Sequence, residues 1–438
     1  MIFLKVAFYT LGCKVNAYET EVAINRFKEK GYEIVPFDSF SDIYIINTCS
    51  VTNSSDQKSR KIIRSANRHN KNAVVAVMGC YSQVKPEEVE KIDGVSIVIG
   101  NKDKAKIVDL VEEYIKNNKK ITRIYNLMHV KFEDMILDKF ENHTRAFVKI
   151  QDGCNNFCTY CIIPYTRGNV RSKDKSIVLK EVTELVKNGY KEIVLTGIHT
   201  GHYGQDLEEY DFSDLLSELE KIDGLERIRI SSIEITELNE KFMNVLKNSK
   251  KIVDHIHIPL QSGCDKILKA MNRKYDMNYY FNKIEEIRNI RKDIAITTDV
   301  IVGFPGETEE DFNITKENIK KLKFTELHVF PYSKREGTPA ANMKNQIDGN
   351  IKKQRVKELI EISEELKNEY YTKFIGKEMT VLTENYENGY LIGHLSNYGK
   401  VRFESSIDNK NKLIKVKLLN YENDIFDAIS AKNKVTSK

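Results

Sequence analysis

The run Ile150-Gln151-Asp152-Gly153-Cys154-Asn155-Asn156-Phe157-Cys158-Thr159-Tyr160-Cys161 decides how this chain is read. Its three thiols follow the spacing C-x3-C-x2-C, and thiolates are the usual ligands of iron–sulfur clusters. A four-iron cubane takes four such ligands, so a loop supplying three leaves one iron open to a ligand from outside the protein. An electron-transfer ferredoxin would not leave that vacancy. A structural zinc site is the rival reading, but it needs a fourth Cys or His, and none follows until His199.

The loop directly follows an apolar, strand-like segment, Phe147–Ile150. Five similar segments come after it: Ile193–Thr196, Arg227–Ser231, His255–Pro259, Thr298–Val302 and Leu327–Phe330. Helical patterns at Ser176–Asn188, Glu237–Leu246 and Glu309–Leu322 lie between them. Six βα units of this length predict a partial (β/α) barrel, in which chemistry gathers at the C-terminal ends of the strands. The cysteine loop stands where such a fold would place it.

Upstream, Val6–Tyr9, Ile43–Ile46, Val74–Val77 and Ser96–Ile99 read as buried strands, with a helix over Glu19–Lys30 closed by Gly31. That alternation predicts a parallel α/β sheet. Three more cysteines, Cys13, Cys49 and Cys80, each sit just past the end of one of these strands. Parallel strands present such positions at one sheet edge, where α/β folds bind ligands. The plainer alternative is three unrelated buried thiols. Convergence implies a second cluster with a free iron. The seventh cysteine, Cys264, has no partner at cluster spacing and reads as a structural thiol.

Downstream, a Lys/Glu-rich helix over Lys352–Tyr371 precedes short strands at Met379–Thr383, Tyr390–His394, Lys400–Phe403 and Leu413–Leu419, joined by Asn/Gly turns. This predicts a small antiparallel β-barrel of the OB-like kind. The expected organisation is an N-terminal sheet domain over residues 1–116, a charged connector (helical at best) over 117–142, the barrel core over 143–371 and the β-barrel over 372–438.

Composition agrees with a soluble globular protein: 41% hydrophobic and 30% charged residues, with 69 basic and 64 acidic side chains giving a net charge of +5. No apolar stretch approaches the roughly 20 residues that span a bilayer, and Met1–Val6 runs into a strand without the features of a signal peptide. A cytoplasmic protein with reduced thiols is expected. The global charge is too small to argue nucleic-acid binding, but residues 54–72 concentrate Lys58, Arg60, Lys61, Arg64, Arg68 and Lys71 against the single acid Asp56. Arg60, Arg64 and Arg68 recur every four residues and would share one helix face. Their place just after Cys49 favours RNA phosphate contact over a merely solvated face.

The whole chain resembles the radical S-adenosylmethionine methylthiotransferases, in the branch that modifies N6-threonylcarbamoyladenosine at position 37 of tRNA. The resemblance is carried by Leu11-Gly12-Cys13-Lys14-Val15-Asn16, Ile46-Asn47-Thr48-Cys49, Gly79-Cys80-Tyr81, the Cys154–Cys161 loop, Leu195-Thr196-Gly197, Ile230-Ser231-Ser232, Pro259-Leu260-Gln261-Ser262, Gly303-Phe304-Pro305-Gly306-Glu307 and Phe330-Pro331-Tyr332. The relative acting on isopentenylated adenosine usually has Gln and Met after the first cysteine, where this chain has Lys14 and Val15.

The resemblance implies a methylthiotransferase domain, a radical S-adenosylmethionine core and a C-terminal TRAM domain that contacts RNA. It implies two 4Fe-4S clusters, one on Cys154, Cys158 and Cys161 and one on Cys13, Cys49 and Cys80. Two molecules of S-adenosylmethionine would be used, as methyl donor and as radical source, with electrons from an external donor and no protein partner evident. Tyr160, Thr196, Gly197, Ser231, Ser232, Gln261 and Gly303 are the expected contacts to the bound S-adenosylmethionine. His199 and His202 are left outside the site. The competing functions are the same chemistry on isopentenyladenosine tRNA or on a ribosomal-protein aspartate, and a non-catalytic RNA-binding redox sensor.

Overall fold

The computed structural model describes residues 4–137, 139–140 and 144–431, so the expected boundary at 142/143 and the tail 432–438 lie outside the described residues. The N-terminal sheet holds β1 (Lys5–Thr10), β2 (Glu33–Val35), β3 (Ile43–Thr48), β4 (Val74–Gly79), β5 (Val95–Ile99) and β6 (Ile121–Arg123). Their order is β2-β1-β3-β4-β5-β6, with every neighbouring pair parallel. β3, β4 and β5 are buried at every residue, because helices cover both faces of a parallel sheet. Phe27 of the Lys14–Glu29 helix packs on one face together with Ile107, Val108 and Val111, while Ile63 and Ala66 of the Asn53–His69 helix pack on the other.

Two short edge strands, β2 and β6, are absent from the sequence reading. β6 falls within the stretch read as helical at best, where Ile121 and Ile124 anchor it to the two faces of the sheet. The first helix begins at Lys14, five residues earlier than periodicity indicated. Its opening turn starts at the Cys13 loop, so a capping position looked like loop.

In the core, β7 (Arg145–Lys149) leads into the antiparallel pair β8 (Gln151–Asp152) and β9 (Arg171–Ser172). The six barrel strands are β7, β10 (Glu192–Thr196), β11 (Arg227–Ile230), β12 (His255–His257), β13 (Ala295–Val302) and β14 (Glu326–Pro331). They form two parallel sheets, β11-β10-β7 and β12-β13-β14, joined by a bridge between Ile228 and Ile252. Alternate residues such as Val148, Leu195, Ile230 and Val300 pack under the helices. Strand alternation therefore turns Lys149, Thr196, Arg229 and Asp299 inward.

The open side of this partial barrel is spanned by the N-terminal domain. At the β7 edge, Lys149 Nζ meets Glu19 Oε1 at 2.8 Å, and Tyr18 OH donates to Glu181 Oε1 at 2.7 Å. Beyond β14, Arg335 donates to Asp56 Oδ2 at 2.9 Å and to Ser50 Oγ at 2.8 Å.

The Gly349–Thr372 helix leads to a closed barrel of β15 (Glu378–Glu387), β16 (Tyr390–Leu395), β17 (Lys400–Glu404), β18 (Leu413–Glu422) and β19 (Ile425–Ser430), in the order β15-β16-β17-β19-β18. This corrects the antiparallel expectation in one respect, since β17 and β19 pair in parallel. The connection from β17 to β18 reverses the chain across the barrel, so the fifth strand, unread in the sequence, returns alongside β17. The barrel docks on the core through Arg227, which donates to Thr380 O at 2.7 Å, and through the Tyr398 ring, 4.5 Å from the Arg229 guanidinium. Among the described residues no helix is long and apolar enough to cross a membrane.

Candidate cluster and cofactor site

The Cys154–Cys161 loop and the short Ile163–Arg167 helix are a single excursion between β8 and β9, whose pairing of Gln151 with Ser172 closes its base. Backbone bonds set the loop: Cys154 N–H donates to Gly168 O at 3.0 Å, Cys161 N–H to Cys158 O at 2.9 Å and Thr159 N–H to Met271 O at 3.1 Å. Arg273 Nη1 reaches Cys158 Sγ at 3.3 Å, and its Nη2 is paired with Glu234. A guanidinium at a sulfur is the charge a metal-bound thiolate favours. Burial pushes the Cys161 thiol up to about 12, and a bound metal would favour loss of its proton.

The structure also brings His199, left outside the expected site, against Cys154: its Nδ1 is 3.6 Å from the sulfur. Its Nε2 lies 2.5 Å from Glu237 Oε1, which is also 3.0 Å from His202 Nε2. Burial would lower the imidazole's pKa, but the bond to Cys154 and the Glu237 charge lift it to about 10. Ligand atoms of Cys154, His199 and His202 lie within 4.8 Å of one another, as a single ion would require. Such an ion would use one cysteine of the three and leave Cys158 and Cys161 without a task. No sequence spacing links residues 154 and 199; only the register of β7 beside β10 joins them.

Six of the seven expected cofactor contacts divide into two groups, and Gly303 stands apart from both. Tyr160 and Gln261 line a cavity of about 290 Å³ with Cys161, Asp299, Ile301, Phe330 and Tyr332. Asp299 and Tyr332 were not among the expected contacts, although Tyr332 stands in the Phe330-Pro331-Tyr332 motif and Asp299 is the one acid in β13. Thr196, Gly197, Ser231 and Ser232 stand at the neighbouring strand ends and do not line this cavity. Of these, Ser231 Oγ is buried without a hydrogen-bond partner. Gly197 lies so close to Gln151 that a Cβ there would approach its Oε1 to 2.9 Å. Gly303 N–H donates to Glu307 Oε2 at 2.6 Å, and the glycine packs against the Lys352 side chain. A larger concavity of about 780 Å³ lies elsewhere, between the core and the C-terminal barrel.

Cys13, Cys49 and Cys80 do meet at one sheet edge. Gly12 and Gly79 both adopt positive φ and press on the segment Thr48–Cys49: a Cβ on Gly12 would come within 3.1 Å of Cys49 Sγ, and one on Gly79 within 2.5 Å of Thr48 O. Those two glycines fold the Cys13 and Cys80 loops over Cys49. Burial raises the Cys49 thiol and the neighbouring Cys80 raises it further, while Cys13, on the same edge, is open to solvent. Val51 and Thr52, just after Cys49, line the same 290 Å³ cavity as Cys161.

Cys264 is buried against Asp311, 3.4 Å from its Oδ1, as a structural thiol would be. In the basic helix, Arg64 and Arg68 are exposed, whereas the half-buried Arg60 is engaged by its own fold, donating to Tyr81 OH at 2.9 Å and facing Glu88 at 3.6 Å. Asp56, the acid opposing the stripe, is spent on Arg335.

Comparison with known proteins follows the same division. The profile of the radical SAM superfamily matches residues 148–319, and that of the Uncharacterized protein family UPF0004 matches residues 5–100. The chain is 48% identical to the threonylcarbamoyladenosine tRNA methylthiotransferase MtaB of Bacillus subtilis, across 94% of this chain and 93% of the relative. It is 37% identical to the same-named protein of Thermotoga maritima, over 95% of each. A tRNA-2-methylthio-N(6)-dimethylallyladenosine synthase of Carboxydothermus hydrogenoformans is 36% identical over 93% of this chain and 95% of that one. Among solved structures, the radical S-adenosylmethionine methyltransferase TsrM of Kitasatospora setae shares the fold, with a TM-score of 0.57 at 14% identity over 77% of each chain.

The radical SAM superfamily implies a 4Fe-4S cluster and S-adenosylmethionine, and the residues present fit both. Three thiols lie on one loop with a guanidinium at one sulfur, and a partly apolar cavity opens beside Cys161. The chain is a transferase, and it belongs to the radical S-adenosylmethionine tRNA methylthiotransferases.

Proposed function

We propose that this enzyme places a methylthio group on C2 of N6-threonylcarbamoyladenosine at position 37, in the anticodon loop of tRNA, in the cytoplasm and with electrons from an external donor. Cys154, Cys158 and Cys161 would hold the cluster that reduces S-adenosylmethionine, and Cys13, Cys49 and Cys80 a second 4Fe-4S cluster. The observation that carries this reading is that residues flanking Cys49 and the Cys161 loop line one cavity. A sulfur presented by the N-terminal cysteines and a radical generated beside Tyr160 would thus act on one base. When bound, the two groups supply one-electron cleavage and a sulfur carrier, which no side chain provides.

The chain's own residues do the holding. Tyr160, Gln261 and Asp299 line the cavity beside the loop, and the unpartnered Ser231 Oγ and the backbone at Thr196–Gly197 offer further polar contacts. Anticodon-loop bases leave the stack at modest cost. The exposed Phe157 of the cysteine loop and Tyr165 of the short helix after it, in edge contact at 6.0 Å, offer them apolar surface.

The choice of substrate rests on the two same-named relatives and on Lys14. That lysine follows Cys13, keeps solvent exposure and has no ion-pair partner among the described residues. Although its side chain reaches solvent, the protein packed around its base and then Arg229 and Arg145, themselves paired with Glu192 and Glu384, lower its pKa to about 8. A threonylcarbamoyl carboxylate suits such surroundings, and an isopentenyl group gains nothing from them. Nucleosides from tRNA of a deletion strain test this. Loss of methylthio-threonylcarbamoyladenosine, with its unmethylthiolated precursor accumulating, is expected; loss of the methylthio-isopentenyl nucleoside instead would assign the other branch.

A further inference from the structure

Six charged side chains are buried between the two cysteine sets, and their signs do not balance. Glu19 and Asp152 face Lys104, Lys149, Arg167 and Arg171, each no more than 6% exposed. Glu19 is paired with Lys104, and its Oε1 lies 2.8 Å from both Lys149 Nζ and Arg167 Nη1. Asp152 Oδ2 lies 2.7 Å from Lys149, 3.1 Å from Arg167 and 3.5 Å from Arg171. The half-buried Glu133, the next carboxylate, reduces the cationic excess without removing it. Uncompensated buried charge is costly, so an anion belongs beside this group.

Arg167 and its two chain neighbours connect that excess to four of the six cysteines of interest. Arg167 Nη2 donates to Asn16 Oδ1 at 2.6 Å, an oxygen that is 3.9 Å from Cys13 Sγ. Asn16 Nδ2 in turn donates to Leu11 O at 2.7 Å and to Thr48 O at 3.0 Å, the carbonyls leading into Cys13 and Cys49. Thr166 O accepts from Asn101 Nδ2 at 2.8 Å, and the same nitrogen reaches Cys80 Sγ at 3.5 Å. Gly168 O accepts from Cys154 N–H at 3.0 Å. Arg167 itself is fully buried, with its Nε unpartnered.

We propose that Arg167 is a positioning residue serving both cysteine sets, and that its charge makes the group held by Cys13, Cys49 and Cys80 easier to form and to reduce. This rests on the reading that those three hold the second cluster. A cluster on three thiolates is a net anion and becomes more so on reduction, so a nearby fixed cation favours the reduced form. The fork to Asn16 and the Gly168 carbonyl also tie the Cys13–Cys49 loops to the Cys154 loop, which fixes the spacing between the sulfur carrier and the radical source.

The test is a reductive titration of each cluster by electron paramagnetic resonance in the full-length, anaerobically reconstituted protein, with iron content as a control. In Arg167→Gln the ratio of reduced to oxidised N-terminal cluster should fall at least tenfold at fixed potential, about 59 mV for a one-electron couple. The Cys154 cluster should move less. Glu19→Gln removes an acid from the same group and should shift the N-terminal cluster the opposite way; Arg167→Lys, which keeps the charge but not the fork, should hold the potential while slowing methylthiolation. If Arg167→Gln fails to fold, the Glu19→Gln and Arg167→Lys pair still decides. Unchanged potentials, or shifts of one sign in both the Gln variants, would overturn the proposal. Wild-type protein whose N-terminal cysteines bind no iron would instead refute the second-cluster reading on which it rests.

Discussion

Single side chains in this protein serve either the chemistry or the frame around it, and Asp311 illustrates the second. It is the third residue of the Glu309–Leu322 helix and accepts from Thr308 N–H at 2.8 Å and Thr308 Oγ1 at 2.9 Å, while Lys266 Nζ reaches it at 2.6 Å. Although burial would raise its carboxyl, these partners hold it down from the ordinary 3.8 to about 2. A folded value below the unfolded one means the contribution is complete above about pH 4 and is lost as the pH falls through 2. Asp311→Asn should lower the stability of the core by about 1 kcal/mol at neutral pH, read by denaturant titration, and the difference from wild type should shrink in acid. The Glu309–Leu322 helix was legible in the sequence, although its Thr308–Asp311 capping box went unread. The partnership of Lys266 and Cys264 with Asp311 was not legible, because it joins residues more than forty positions apart.

At the scale of elements, strands and helices of the core were largely legible because their apolar periods are long and regular. The Glu309–Leu322 helix has the bounds that its pattern gave. Short edge strands such as Glu33–Val35 and Ile121–Arg123 escaped, since three residues carry no period and only the neighbouring strand makes them strands. The basic helix was legible as a stripe, but its three arginines proved unequal. Arg60 is tied to Tyr81 and Glu88, so Arg64 and Arg68 are the residues free to meet phosphate. Arg64→Glu with Arg68→Glu should weaken tRNA binding and flatten its logarithmic salt dependence by roughly 0.7–0.9 for each phosphate that is no longer neutralised, with S-adenosylmethionine cleavage unaltered. Fluorescence titrations across a salt series would show it; an unchanged slope would return the stripe to a solvated helix face.

For the whole molecule, the decisive arrangement is the closure of a partial barrel by a separate parallel-sheet domain. The contacts that make it, Glu19 with Lys149 and Arg167 on one side and Asp56 with Arg335 on the other, are buried ion pairs between distant segments. Each looked like an ordinary charge in the sequence. What was legible was the place of each cysteine set at the C-terminal ends of predicted parallel strands; that the two edges face each other was not read from the sequence. On the proposed function the two sets are separable: Cys154, Cys158 and Cys161 would serve reductive cleavage, and Cys13, Cys49 and Cys80 sulfur delivery. The direct measurement is the yield of 5′-deoxyadenosine and of methylthiolated tRNA from anaerobically reconstituted triple Cys→Ala variants. The variant lacking Cys13, Cys49 and Cys80 should keep about half the iron, still form 5′-deoxyadenosine and make no methylthio product, whereas the variant lacking Cys154, Cys158 and Cys161 should make neither. An N-terminal triple variant that retains full iron and still methylthiolates tRNA would contradict the account.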